Sequence, residues 1–191
     1  VRQDLVKVLE KLADRVKKGT LKLDGIIIET TGMADPAPVA QTFFVDDNVK
    51  EFARLDGIVT LVDAKHIEQH LDDEKDEGVE NEAVEQVAFA DRLLLNKTDL
   101  VTEKDLERVE KRLRAINSNA PVIRCTRSNV SVDNVLNING FDLKRTLEMD
   151  PEFLNTDGDH QHDDTVKSVS IVEEGNLDME LLHEWISGIL Q

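Results

Sequence analysis

The chain has 191 residues, 40% of them apolar, enough for one sizeable domain or one domain and part of another. Its 40 acidic residues outweigh 23 basic ones, for a net charge of −17, which argues against nucleic acid or an anionic membrane as partner. A single cysteine, Cys125, rules out an intramolecular disulfide and fits a reducing compartment, the cytoplasm or an organelle such as a plastid.

Residues 3–18 carry Leu5, Val8, Leu9, Leu12 and Val16 at helical spacing, and Gly19 ends the pattern. Residues 23–29, with Ile26-Ile27-Ile28 continuous, read as a buried strand. Pro36 and Pro38 break the chain, and a short helix follows through Phe44. Residues 56–62 read as a second buried strand. Residues 72–82 are acidic and loop-like, and 83–90 read as helix. Residues 92–95 form a third strand. Residues 102–116 form an amphipathic helix with Thr102 as N-cap and Glu103 and Asp105 in the first turn. A short strand follows at 121–125. Strands alternating with helices predict an α/β fold with a parallel sheet, whose ligands bind at the carboxyl ends of the strands.

Beyond about residue 140 the pattern changes. Residues 155–164 lack apolar periodicity and read as a linker. Residues 166–173 alternate as a strand, and 177–190 read as a helix with Leu181, Leu182, Trp185, Ile186, Ile189 and Leu190 on one side. A lone strand and helix cannot make a stable domain, so they read as the opening of a second one, with Trp185 as a core anchor. No run of about 18 apolar residues is present to span a membrane. The first residues, Val1-Arg2-Gln3-Asp4, are neither a signal peptide nor an initiator methionine, so the chain is expected to start partway into a longer protein.

Two segments carry chemistry. The run Leu93-Leu94-Leu95 ends in Asn96-Lys97-Thr98-Asp99. An Asp carboxylate accepts two hydrogen bonds from the ring N–H and exocyclic NH2 of guanine, a pair adenine cannot offer. A Lys stem can lie on the base, and an Asn amide can bond both base and loop. Alone, the tetrapeptide fits a polar turn equally well. The second segment is Glu29-Thr30-Thr31-Gly32, directly after the first predicted strand. Its carboxylate can hold magnesium through water, and its glycine lets a terminal phosphate approach the backbone. By itself it fits a plain turn better.

Together the segments are specific. Ile26 to Pro38, Asp56 to Ala64, and Glu85 to Asp91 leading into Asn96–Asp99 closely resemble the CobW-like GTPases, metal-handling P-loop proteins related to the nickel and urease maturation GTPases. The resemblance spans roughly residues 1–136 and resumes at 165–190. It implies a partial P-loop parallel sheet flanked by helices over 1–150, an acidic His-containing linker over 151–164, and the first βα unit of a C-terminal CobW domain over 165–191. It implies a GTPase with Mg2+ that delivers a metal to a client metalloprotein. The metal is zinc, with Co2+ or Ni2+ as alternatives. Asn96, Lys97 and Asp99 would read guanine, with Arg127 and Ser128 in the loop behind it. Glu29 would serve magnesium or the metal, and Gly32 the terminal phosphate. His160 and His162 match a short version of the family's histidine-bearing linker, although two histidines between acidic residues also suit a solvated loop.

Two family features are missing. No Gly-x-x-x-x-Gly-Lys-Ser/Thr loop occurs, since Lys18-Gly19-Thr20 lacks the upstream glycine, and no Cys-x-Cys-Cys metal motif occurs. The chain alone is therefore expected to bind GTP poorly and to turn none over usefully. It is also expected to pair with a missing half or to exchange strands in a homo-oligomer. Two alternatives stay open: a non-catalytic acidic protein-binding module with a vestigial nucleotide site, and cobalt handling in cobalamin synthesis. His66 and His70, four apart, can chelate or lie separately on a surface.

Overall fold

A computed structural model describes residues 2–75, 81–155, 170, 172 and 175–189. The chain divides into two compact units, residues 1–161 and 162–191.

The first unit is built on a three-stranded parallel sheet of β1 (Val59–Asp63), β2 (Arg92–Asn96) and β3 (Val122–Arg124), in the order β1-β2-β3. The central strand is the Leu93-Leu94-Leu95 run. All three leucines are buried, as a parallel strand covered on both faces requires. Helix α4 (Ile67–Leu71) and helix α5 (Glu82–Ala88) connect β1 to β2, and α6 (Glu103–Ile116) connects β2 to β3. Helix α6 starts where expected, because Thr102 and Asp105 form a reciprocal capping box. Its Leu106, Val109 and Leu113 share one face and pack with Val62, Val87, Leu93 and Leu95 in the main core.

Three further helices extend this unit: α1 (Arg2–Lys17), α2 (Ala37–Val45) and α3 (Asp47–Phe52). Leu9, Phe43 and Val49 join them in a second cluster. A third cluster gathers Ala37, Ala40, Phe89 and Phe153, with Phe44 and Phe141 packed against it. Phe44 and Phe141 stack at 5.0 Å between ring centroids. Helix α7 (Leu143–Met149) completes the unit. The first residues of the expected linker, 151–155, lie in this unit, and Phe153 is fully buried.

Several expectations are corrected. Residues 23–29 do not form a strand, and Ile27 is 73% exposed. An apolar run becomes a strand only beside a ladder partner. Among the described residues, β1 pairs only with β2, and residues 23–29 pair with neither. Residues 56–58 lie outside β1: Asp56 O accepts from the Gly140 and Phe141 N–H groups of a loop, and Ile58 O is shared between the N–H groups of Asp91 and Arg92, the latter the first residue of β2. Helices α3 and α7 were not anticipated.

The second unit contains α8 (Met179–Ile189). Trp185, expected as a core anchor, is 57% exposed, as are most apolar residues of this helix. An amphipathic helix buries its stripe only against another element, and none among the described residues of this unit covers it. The predicted strand at 166–173 and the linker residues beyond 155 lie largely outside the described residues, as do His160 and His162.

Candidate functional site

Strands β1 and β2 end at the same level, because Asp63 is the register partner of Asn96. The Ala64 N–H then donates to Asn96 O at 3.0 Å. Directly beyond, Lys97 adopts the left-handed conformation (φ 60°, ψ 33°) and turns the chain off the sheet into the short 3-10 turn Thr98–Leu100. A non-glycine residue held there is unusual, and such strain concentrates at functional sites.

The buried Asn96 amide ties this turn to the loop after β3. Its Oδ1 accepts from the Ser128 backbone N–H at 2.9 Å and from Cys125 Sγ at 3.6 Å, and its Nδ2 donates to Ser128 Oγ at 3.3 Å. Thr98 reinforces the link: its Oγ1 donates to Cys125 O at 3.1 Å and lies 3.1 Å from Thr126 Oγ1. Arg127 and Ser128 are both left-handed, at φ 53° and 55°. Burial pushes the Cys125 thiol up from its ordinary value, so it stands here as a neutral, weak donor.

The Lys97 ammonium reaches back to Asp63, with Nζ donating to Oδ2 at 2.7 Å. His66 Nδ1 lies 3.0 Å from the same oxygen, and the Lys65 N–H donates to Oδ1 at 2.9 Å. Burial opposes the Asp63 charge. The hydrogen bonds from His66, Lys97 and Lys65 outweigh it and hold the carboxyl well below the usual carboxylate range. Asp99 is exposed, and its carboxylate has no hydrogen-bond partner among the described residues. The rim thus offers a free carboxylate acceptor, a fixed lysine stem and a buried amide that locks two loops together.

The other expected groups stand apart. Glu29 is exposed in an irregular segment rather than at a strand end. Gly32 lies in a turn, and Gln86 Nε2 of α5 donates to Gly32 O at 3.1 Å and to Ala34 O at 2.8 Å. The Gln86 carbonyl accepts in turn from Thr60 Oγ1 of β1 at 2.7 Å. The Gly32 turn is therefore anchored to the sheet through α5, and no described contact joins Glu29 or Gly32 to Asn96–Asp99. His66 and His70 do not share a ligand: His66 pairs with Asp63, and His70 Nδ1 lies 3.6 Å from Asp73 Oδ2. Among the described residues no group of three or more His, Cys, Asp or Glu side chains is placed to hold a metal.

Residues 1–124 match the family model described as the CobW/HypB/UreG nucleotide-binding domain. The chain belongs to this family. Within it, the chain is 38% identical over 151 residues to zinc-regulated GTPase metalloprotein activator 1 of Schizosaccharomyces pombe, covering 78% of this chain and 34% of that protein. It is 38% identical over 144 residues to the zinc chaperone YjiA of Escherichia coli, covering 75% and 43%. The crystal structure of the Zn(II)-bound YjiA GTPase from E. coli superposes with a TM-score of 0.59 at 39% identity, covering 68% of this chain and 38% of that one. The chain thus spans between a third and a half of the length of the relatives it matches.

The CobW/HypB/UreG sheet explains which site residues sequence reasoning missed. Asp63, which closes β1 as Asn96 closes β2, was missed; Cys125, directly after β3, is the small buried residue at the rim that its place at the end of the 121–125 strand implies. The signal was present as a polar or small residue closing each strand. Only the parallel register brings them together. Gln86 had no signal at all, since its role depends on the path of residues 30–34.

Proposed function

We propose that the polypeptide carrying this chain binds GTP with magnesium, hydrolyses it, and couples the cycle to delivery of zinc to a client metalloprotein. The observation that carries this reading is the Asn96–Asp99 rim, where a buried amide fixes two loops and leaves the Asp99 carboxylate open to a guanine edge. Asp99 accepts from the guanine N–H groups, Lys97 packs its stem on the base, and Asn96 with the Arg127–Ser128 loop supports it from behind. Glu29 serves the magnesium or the carried metal, and Gly32 the terminal phosphate. Both are exposed, which leaves them free to reach a ligand.

Zinc is the metal in the names of these relatives, and it enters here as cargo. His160 and His162 would add imidazole ligands from the acidic linker, with Co2+ and Ni2+ acceptable to the same donors. The first domain would run to about residue 155, followed by this linker and the opening of a C-terminal CobW domain. The reducing compartment inferred from the lone cysteine fits an intracellular metal carrier. Partners would be GTP or GDP and a client metalloprotein. A homo-oligomer or strand exchange across the open edge of β1 would cover that edge.

Calorimetric titration of GDP and ADP into the polypeptide that carries these residues tests the reading. GDP should bind at least about tenfold more tightly. Equal affinity for the two would overturn the base-reading role. Metal content and GTPase rate with zinc, cobalt and nickel compared would then test the cargo, and zinc is expected to be retained and to alter turnover most.

A further inference from the structure

We infer that Asp63 is a positioning residue for the guanine site, acting through Lys97. The inference rests on the base-reading role proposed above and adds to it a residue outside the Asn96–Asp99 segment.

Asp63 closes β1 in register with Asn96, so its backbone is fixed by the sheet. Its carboxylate is also fixed. Oδ1 accepts from the Lys65 N–H, while Oδ2 accepts from Lys97 Nζ and faces His66 Nδ1. A carboxylate with three donors on a rigid strand is a stationary anchor. The side chain it anchors is otherwise free: Lys97 has four rotatable bonds and leaves the sheet on a left-handed residue. The ion pair holds both ends of that side chain, its Cα by the turn and its ammonium by Asp63. The stem between them is 47% exposed, so one face remains open for a planar base to lie on.

Magnitudes favour positioning over stability. Ion pairs as exposed as this one, 47% and 27%, contribute little to folding. Ordering a long side chain at the moment of binding, by contrast, weakens affinity by roughly two- to tenfold, and a side chain already held avoids that loss. Fixing Lys97 in advance therefore acts on nucleotide affinity and scarcely on the fold. Because the groups around Asp63 on neighbouring elements are Lys97, His66 and the Lys65 amide, an Asn at this position keeps the acceptor for the Lys65 N–H and puts an NH2 donor where Oδ2 accepted from Lys97, which removes both the charge and the hydrogen bond to the ammonium.

The test is a double-mutant cycle with GDP as probe, using Asp63→Asn, Lys97→Met and the double variant. Asp63→Asn should weaken GDP about two- to tenfold with the thermal midpoint nearly unchanged, and the double variant should bind no more weakly than Lys97→Met alone. Wild-type affinity in Asp63→Asn, or losses that multiply in the double variant, would overturn the inference. If Lys97→Met, which keeps the stem and removes the ammonium, binds GDP as tightly as wild type, the Asp63–Lys97 pair does not position the stem and this inference fails; if Lys97→Ala, which removes the stem, does so, the base-packing role of Lys97 fails as well. A second measurement needs no nucleotide. Acetylation of Lys97, followed by peptide mass spectrometry, should speed up in Asp63→Asn while that of exposed Lys104 does not. Equal Lys97 reactivity in both proteins would show that Asp63 does not hold the amine.

Discussion

Asn96 at the end of β2 and Ser128 in the loop after β3 are joined at both ends of one amide: Asn96 Oδ1 accepts the Ser128 backbone N–H at 2.9 Å, and Nδ2 donates to Ser128 Oγ at 3.3 Å. One side chain thus fixes the relative position of the turn after β2 and the loop after β3. It is buried, and its Oδ1 also receives the Cys125 thiol. Asn96→Ala removes all three contacts and leaves the left-handed Arg127–Ser128 backbone without its main tie. The expected cost is about 1–3 kcal/mol in urea unfolding, with an unchanged slope. Native-state alkylation of Cys125 should also quicken. Slow alkylation equal to wild type would show that the loop is held by other contacts.

Lys97 sets stability against function. Its left-handed backbone costs a non-glycine residue about 1–2 kcal/mol, which glycine escapes, while glycine adds roughly 0.5–1 kcal/mol of unfolded-chain entropy. The two nearly cancel. Lys97→Gly should therefore change stability by less than about 1 kcal/mol, whereas Lys97→Val, β-branched at positive φ, should lose about 1–2 kcal/mol. Both should weaken GDP, because both lose the stem. A glycine variant that binds GDP normally would remove Lys97 from the site.

The acid limb of stability should report Asp63. Its folded carboxyl lies well below the ordinary 3.8, because hydrogen bonds from His66 and Lys97 overcome burial. A group depressed in this way stabilises the fold above its unfolded value and loses that contribution as pH falls through the folded one. Between about pH 5 and about pH 2 the wild type should thus lose more stability than Asp63→Asn, by no more than about 1 kcal/mol for a pair this exposed, which is why the thermal midpoints of the two at neutral pH stay close. Parallel acid-denaturation curves for the two proteins would contradict the direction of the shift.

What could be read from the sequence divides along physical lines. β2 was legible because three consecutive leucines suit a strand covered on both faces, and α6 because its cap and its apolar spacing agree. Residues 23–29 gave the same kind of apolar signal, yet no strand formed. Such a run reports burial preference, while a strand also needs a neighbour. Helix α7 was missed although Asp142 caps it, accepting from the Lys144 and Arg145 N–H groups. Its two packed leucines, Leu143 and Leu147, stand four apart, but a single such pair is too short to establish a helical period. Of the site, Asn96, Lys97 and Asp99 were legible as a contiguous segment. Asp63 was not, because only the parallel register places it under Lys97.

A different side chain fastens the far end of the unit. The Asp91 side chain is fully buried, accepts the Ile58 N–H at 2.8 Å and pairs with Arg145 of α7. Gly140 packs against it, where an added Cβ would come 2.9 Å from Asp91 Cβ. Removing a buried partner leaves the other unpaired, which costs more than the pair contributes. Arg145 is 38% exposed and can recover some hydration. Asp91→Ala should therefore cost about 2–4 kcal/mol, and Asp91→Asn, which keeps an acceptor for Ile58, about half as much. A loss below about 1 kcal/mol for the alanine variant would mean that α7 is held by its aromatic contacts instead.

Base choice gives the sharpest prediction. Guanine presents a ring N–H and an exocyclic NH2 on the edge that Asp99 would accept, and xanthine replaces that NH2 with a carbonyl oxygen. An Asn side chain offers one acceptor and one NH2 donor, which complements xanthine and mismatches guanine. Asp99 is exposed and without a partner among the described residues, so the substitution disturbs no internal contact and should leave stability within about 0.5 kcal/mol. Asp99→Asn should weaken GDP on the order of 100-fold and strengthen xanthosine diphosphate, because a mismatched polar edge leaves groups unpaired on both sides. Competition titration with both diphosphates measures the two changes together. A variant that loses GDP without gaining xanthosine diphosphate would mean that Asp99 shapes the loop rather than reading the base. A variant that loses neither would place the nucleotide elsewhere on the protein.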